Sequence, residues 1–565
     1  MLDLSSILST PAPPIVQTLL AIPLVLVAIS LLTWLTTTIN WYSSISQFKS
    51  RVKSPSTTVK PIPPPLLPYA IPWLGSALTF LNENPGSFWR MLRAKLASTG
   101  TNVQVCTILL GGQKAHVVNS AAAVQALFKS KHVSRDLFNY QIATQGLGAS
   151  KRDAEVMFPS IPSSSHSDKK EDSMDGLNHE FLLNQSAANS LTNKFMECFR
   201  STLDNADLED LEWKQVDLFS WWKKLLFNAS TTALFGTKIL EMNPDLADQF
   251  WEYDAGFLAR FYGVPKIFKP RAYACLDEML DRTQAWVEHV LAEHGGNPPE
   301  QPDWEPLMGS KVVRARHRHY TREGLSSRGR AAFDLGFLFG LQANVIPVTS
   351  WILAHLLSPQ TPEDVLLRVR EEIESARRPD NEVDISILVG QPVLNSVLHE
   401  TLRHYVDALV TRQLKVDMVL DGHLLKKDDL VMAPSSLSQH DPQFWDQDTE
   451  PPGDVWYAER FLRQDPTTGK QSFGTSWTAG KFFPFGGGTH VCPGRIFAKQ
   501  EVLGALATLL LKFDLRFVEY LGTDRNGDTL NLGKGAAGFP KVRKQYAGNG
   551  TVSMDGDIRV QMRER

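Results

Sequence analysis

The chain has 565 residues, 43% of them hydrophobic and 21% charged, enough apolar material to bury a large core and to exclude disorder as a description of the whole. Lys plus Arg (58) nearly balance Asp plus Glu (61), without the basic excess of a general nucleic-acid binder. Four cysteines, Cys106, Cys198, Cys275 and Cys492, form no C-x-x-C pair, so neither a disulfide framework nor a zinc site is indicated.

The first element is apolar. No charge occurs between Asp3 and Lys49, and Ile15 to Leu35 is almost wholly hydrophobic. About 20 such residues suffice to cross a bilayer. A cleaved signal peptide is the competing reading, disfavoured by the length of the run and by the absence of a basic leader before it. Trp34, Trp41 and Tyr42 are placed for an aromatic belt. The basic residues Lys49, Arg51, Lys53 and Lys60 follow the run and put the remainder of the chain on the cytosolic side. The expected organisation is a lumenal segment (1–14), a transmembrane helix (15–36), a basic and proline-rich linker (37–75) and one large catalytic domain (76–565). Pro61, Pro63, Pro64, Pro65, Pro68 and Pro72 make the linker read as a stiff spacer. With this topology the sequons at Asn184, Asn228 and Asn549 face the cytosol and stay unmodified.

Asn102 to Val118 predicts a β-hairpin turning at Gly111-Gly112, after which the patterns are mainly helical. Ser160 to Gly176 and Gly295 to Arg330 are polar interruptions. The second, with Arg314, Arg316, His317, Arg318, His319 and Arg322, reads as a solvated basic loop rather than a metal site. Cys106, Cys198 and Cys275 read as packing residues.

The chemistry concentrates in Phe482 to Glu501, FFPFGGGTHVCPGRIFAKQE. Three glycines, Gly486 to Gly488, permit close backbone approach to a flat ligand. Cys492 then stands before a helix opened by Pro493, where backbone N–H groups favour a thiolate. A lone thiolate cannot close a tetrahedral zinc site, but it can be one axial ligand to a porphyrin iron.

The spacing Phe485, Gly488, Cys492, Gly494 resembles the haem-thiolate loop of the cytochrome P450 superfamily. Upstream, LNSVLHETLRHY carries Glu400 and Arg403 in the family's E-x-x-R, on one helix face, and WYAERF supplies Arg460 to the same network. The resemblance covers roughly residues 60 to 565. It implies a mainly α fold with smaller β-sheets (α+β), an N-terminal transmembrane helix of the microsomal kind and single-pass anchoring in the endoplasmic reticulum. It further implies non-covalent haem b, there being no C-x-x-C-H motif, and electrons from NADPH through a separate reductase, since the chain has no convincing dinucleotide fingerprint. Lys481, Arg495 and Lys499 are candidates to meet an acidic reductase surface, with haem packing the other reading for Arg495.

The chain also departs from the family. His490 and Arg412 are candidate haem-propionate contacts, and no W-x-x-x-R is found around Leu177 to Leu203. In the apolar helix Ala331 to Leu357, the family's A-G-x-(D/E)-T reads Gly340, Leu341, Gln342, Ala343, Asn344. The acid is missing and an amide replaces the alcohol, marking Ala343 and Asn344 as the catalytic candidates. Pro347 should free the carbonyl of Ala343 and kink the helix. Q-A-N-x-I-P resembles the branch of sterol 7α- and 12α-hydroxylases and prostacyclin synthase. That branch implies a lipophilic, steroid- or terpenoid-like substrate of specialised metabolism and a monooxygenase. An isomerase or dehydratase acting on a peroxide without reductase, and a non-catalytic haem binder, are the alternatives. The aromatic stretch Phe250 to Tyr262 is a candidate access-channel wall.

Overall fold

A computed structural model describes residues 14–53, 60–84, 86–100, 103–159, 173–205, 212–447, 451–524, 528–548 and 550–565, with backbone alone for 14–21 and 51–53. Most of the polar stretch Ser160 to Gly176, and Asn549, lie outside these residues. The architecture is mainly helical with several small sheets, as the motif pattern predicts.

Helix α1 (Pro14–Lys53) extends well past residue 36, so the first half of the expected linker is helix. From Ile22 to Leu35 its large apolar side chains are mostly exposed, whereas Thr37, Trp41 and Ile45 are buried. That i, i+4, i+8 stripe docks the helix on the body. Trp41 packs with Phe80, Phe88, Trp89 and Leu92 and is therefore no part of an aromatic belt. Thr37 Oγ1 donates to Tyr69 O (3.0 Å). The proline-rich segment is also docked: Leu67 N donates to Thr107 O and Thr107 N to Pro65 O, both at 2.8 Å. Proline has no N–H to offer a sheet, and here it covers an edge strand instead of spanning free space.

The hairpin forms as predicted, with β1 (Val105–Leu110) and β2 (Gln113–Val118) antiparallel. Gly111 and Gly112 turn at φ 57° and 85°, angles that favour glycine. Strands β3 (Val133–Ser134), β4 (Leu409–Leu414) and β5 (Leu430–Pro434) complete a five-stranded sheet in the order β1-β2-β5-β4-β3. Its register sets Arg412 opposite Val431.

Six further helices build the body: α2 (Gln185–Asp204), α3 (Leu218–Phe235), α4 (Leu246–Phe261), α5 (Pro270–Glu293), α6 (Lys311–Arg322) and α7 (Ser327–Leu357). Helix α7 runs unbroken through Pro347 and packs against α3 and α5. Among the described residues two helices are long and apolar enough to cross a membrane; the best window of α7 is 78% buried and that of α1 only 6%. The first is thus the core helix and the second the candidate membrane anchor. Helices α8 (Pro392–Tyr405) and α9 (Arg495–Lys512) also contact α7.

The basic segment corrects the sequence reading. Lys311–Arg322 is helix, and Arg314, Arg316, His317 and His319 are buried. Arg314 donates to Pro299 O and Pro302 O, and His317 Nε2 meets Asp334 Oδ2 at 2.6 Å. A charged helix can be buried once its groups find partners. Carbonyls of a proline-rich loop are partners that no pattern of the helix itself discloses. Among the described residues no cluster could hold a metal ion.

Candidate active site

A cavity of about 600 Å³ opens between α7 and the cysteine loop. Its walls are mostly apolar, including Phe257, Leu258, Phe261, Phe337, Phe339 and Val348. Of the aromatic stretch, Phe257 and Phe261 thus face the cavity; Phe250 and Tyr253 are fully buried away from it.

The cysteine loop forms one side. Cys492 N donates to Phe485 O at 2.9 Å, and Arg495 Nη1 to Cys492 O at 3.1 Å. Burial pushes the Cys492 thiol up, while the backbone N–H groups of Gly494 and Arg495 and the Arg135 cation pull it down. The helix end alone therefore does not ionise this thiol; an adjacent metal cation would. Cys492, Phe485, His490 and Gly494 all line the cavity, and Gly488 does not. Gly488 turns at φ 69°, with space for a Cβ taken by Phe128 O, and Gly487 is pressed on the Phe128 ring. These two glycines answer to protein packing behind the loop rather than to a ligand before it. Cys106, Cys198 and Cys275 are buried packing residues, and burial pushes the Cys106 thiol up to about 12.

Beside the loop lies a cationic cluster. Arg412 is buried, and burial together with the neighbouring Arg135 lowers its guanidinium to about 10. It donates to Thr411 O (2.9 Å) and Gly487 O (3.3 Å). Burial first, then these two arginines, hold His490 below the usual imidazole range, so it offers hydrogen bonds rather than charge. Neither arginine forms an ion pair among the described residues. Two unpaired guanidiniums at the rim of an apolar cavity call for anionic partners. Arg135 was not singled out in the sequence, having no motif around it, yet it lines the same cavity as Arg412 and His490.

To the cavity lining α7 presents Phe333, Phe337, Gly340, Asn344 and Val348, residues three or four apart on one helix face. Asn344 is on this wall and Ala343 is not: Ala343 is buried within the helix packing, which corrects its expected place. Gln342 also points away, donating to Phe227 O (3.2 Å) and Thr231 Oγ1 (3.0 Å). Asn344 Oδ1 accepts from Thr551 N at 3.0 Å. Only the amide oxygen can take that N–H, so the contact fixes the amide orientation. Gly550 allows it, since a Cβ there would stand 2.4 Å from Oδ1. The Asn344 acceptor is thus occupied by the chain 207 residues on.

Behind the loop, Arg403 grips Glu400 with Nε–Oε2 at 2.7 Å and Nη2–Oε1 at 2.8 Å, and Arg460 Nε meets Oε1 at 3.0 Å. All three side chains are fully buried. Arg403 also donates to Gln439 O, and Arg460 to Pro452 O and Val455 O, each at 2.9 Å. The three motif residues are thus brought together as expected. The basic residues offered for a reductase are not: Lys481 is buried against Asp441 Oδ2 (2.6 Å), and Lys499 Nζ is tied to Val389 O (3.0 Å).

Comparison with known proteins bears directly on this site. The "Cytochrome P450" family model matches residues 64–528. The chain is 29% identical over 478 residues to cytochrome P450 monooxygenase calL of Penicillium decumbens, covering 80% of this chain and 87% of that protein. It is 29% identical to cytochrome P450 monooxygenase efuG of Hormonema carpetanum (89% and 90% covered). It is 27% identical to cholesterol 7-alpha-monooxygenase of Cricetulus griseus (81% and 87% covered). With a buried Glu-Arg-Arg network behind a cysteine loop and a family match spanning most of its length, the chain belongs to the cytochrome P450 family and is a haem b monooxygenase.

Proposed function

We propose that this monooxygenase oxidises a lipophilic, steroid- or terpenoid-like substrate at the membrane of the endoplasmic reticulum. The observation that carries the reading is that Cys492 and Asn344 both line one largely apolar cavity. Cys492 Sγ would hold the haem iron, with Arg135, Arg412 and His490 meeting the propionates; the unpaired cations fit that group. When bound, haem supplies the redox chemistry of oxygen activation, which a thiolate ligand promotes.

The chain's own residues do the rest. Gly494 N–H and Arg495 N–H stabilise charge on Sγ. The apolar wall excludes water and orients the substrate. Asn344, its oxygen held by Thr551 and one Nδ2 hydrogen turned to Gly340 O at 3.4 Å, would offer its remaining Nδ2 hydrogen to an oxygen atom in the cavity and cannot itself release a proton at neutral pH. Proton delivery then falls to water ordered by that amide. Electrons come from NADPH through a reductase; with Lys481 and Lys499 engaged internally, the docking face lies elsewhere than on these two side chains. The helix spanning Ile22–Ser50 would anchor the body from the cytosolic side in a single pass. The names of the relatives, cholesterol 7-alpha-monooxygenase among them, support a polycyclic lipid.

Reconstituted in vesicles with NADPH–cytochrome P450 reductase, the protein should give the carbon monoxide difference band of thiolate ligation, and Cys492→Ser should lose it. Steroid and triterpenoid panels should yield oxygenated products that depend on NADPH, reductase and O2. Product formed from a lipid peroxide with neither reductase nor NADPH would instead establish the isomerase chemistry.

A further inference from the structure

Helix α6 puts one cation where the family motifs assign none. Arg316 lines the haem-side cavity although only 8% of it is exposed. Its guanidinium lies over the Phe337 ring at 4.4 Å and the Tyr320 ring at 5.7 Å. Aromatic faces hold a cation in place without neutralising it. Its Nε has no hydrogen-bond partner, and it makes no ion pair among the described residues. Asp334, three positions before Phe337 on α7, is buried outside the cavity lining and meets His317 through Oδ2 at 2.6 Å. Among the described residues Glu501 is the one acid lining the cavity, and burial raises its carboxyl to about 8, so it is mostly protonated at neutral pH. Haem brings two carboxylates, and Arg135 and Arg412 are already placed for them. Arg316 is the guanidinium left over, and a buried, desolvated cation facing an apolar cavity is unfavourable until an anion meets it.

We propose that Arg316 anchors a carboxylate of the substrate, making this enzyme selective for acidic polycyclic lipids over their neutral counterparts. The proposal rests on the reading of the cavity as the haem and substrate site. Geometry adds a distance. Phe337, the ring beneath Arg316, precedes Asn344 by seven positions on one helix, about 10 Å at 1.5 Å per residue. The oxidised carbon would therefore lie across a fused-ring skeleton from the acid. Guanidinium suits this role, binding a carboxylate through two parallel N–H donors.

The test uses the full-length holoenzyme in detergent, titrated with 5β-cholanic acid, abietic acid and the methyl ester of each, following the Soret shift. The wild type should bind at least one acid about tenfold or more tighter than its ester. Arg316→Gln should abolish that preference by weakening the acid while leaving the ester within about twofold, and Arg316→Lys should restore part of it. Haem content and the carbon monoxide band should be unchanged in both variants. Equal binding of acid and ester by the wild type, no Soret response to either acid, or a preference surviving in Arg316→Gln would overturn the proposal. Loss of haem from Arg316→Gln would assign the residue to a propionate and overturn it equally. A wild type lacking the thiolate band would sink the cavity reading itself, a separate outcome.

Discussion

Glu400 is a single carboxylate facing two guanidiniums with no water-exposed surface on any of the three. Removing the carboxylate would leave two buried cations with only backbone carbonyls to meet them. Breaking such a network by deleting one partner costs about 3–5 kcal/mol. Glu400→Gln is therefore expected to lower the melting temperature sharply and to reduce haem retention, measured by thermal denaturation and the Soret-to-protein absorbance ratio. Glu501 behaves oppositely. Its Oε1 meets Ser230 Oγ, its Oε2 has no partner, and burial raises its carboxyl to about 8. Between the unfolded value near 4.5 and 8, the native state keeps a proton that the unfolded state has lost. Stability then falls as pH rises, by about 1.4 kcal/mol per pH unit for this group. Glu501→Gln removes that dependence. The variant's stability relative to wild type should thus climb from pH 5 to pH 8, read as the difference between two melting-temperature profiles; a flat difference would contradict the assignment. Taking the difference cancels Asp407, whose buried carboxyl is likewise raised, to about 7.

At the scale of elements, the cysteine loop shows how glycines of one run differ. Gly486 and Gly488 both have positive φ, 71° and 69°, a conformation that costs a non-glycine residue roughly 1–2 kcal/mol. A Cβ on Gly486 would meet nothing closer than 3.8 Å, whereas on Gly488 it would lie 2.2 Å from Phe128 O. Gly486→Ala should lose about that conformational cost and keep its haem. Gly488→Ala should lose several-fold more haem and melt markedly lower, because the backbone of α9's leading loop must move. The E-x-x-R helix, the cysteine loop and the apolar core helix were all legible in sequence, since each is a local pattern whose meaning is set by spacing. Helix α6 was not. Its partners are carbonyls of the 298–302 loop and Asp334, so dense positive charge read as solvent exposure. Asn344 was legible as a position but not as a constrained amide, because Thr551 reaches it only through tertiary folding. Ala343 was misplaced for a simpler reason: one residue along a helix is a rotation of about 100°, enough to turn a side chain from cavity to core.

At the scale of the whole molecule, helix α1 and the body are one mechanical unit. The sequence suggests a membrane helix joined to an enzyme by a stiff spacer, yet α1 continues to Lys53 and its second half is part of the body's packing. Thr37 is linked to Tyr69, Trp41 and Ile45 are buried in the cluster with Phe88 and Trp89, and Phe48 stacks on His423 at 5.0 Å between centroids. With α1 as a membrane anchor, orientation over the bilayer would be set by helix docking rather than by proline stiffness. Two truncations separate these ideas. Removing residues 1–35 deletes the exposed apolar stretch and leaves the docking stripe; this protein should be soluble, bind haem and melt within a few degrees of full length in detergent. Removing residues 1–53 strips the stripe and uncovers Phe80, Phe88 and Trp89, so it should aggregate or melt far lower. Trp41→Ala in the full chain isolates the largest contact, for which loss of a buried aromatic side chain costs about 3–5 kcal/mol. Equal melting temperatures for the two truncations would show that the helix does not brace the body, and would return the orienting role to the proline segment.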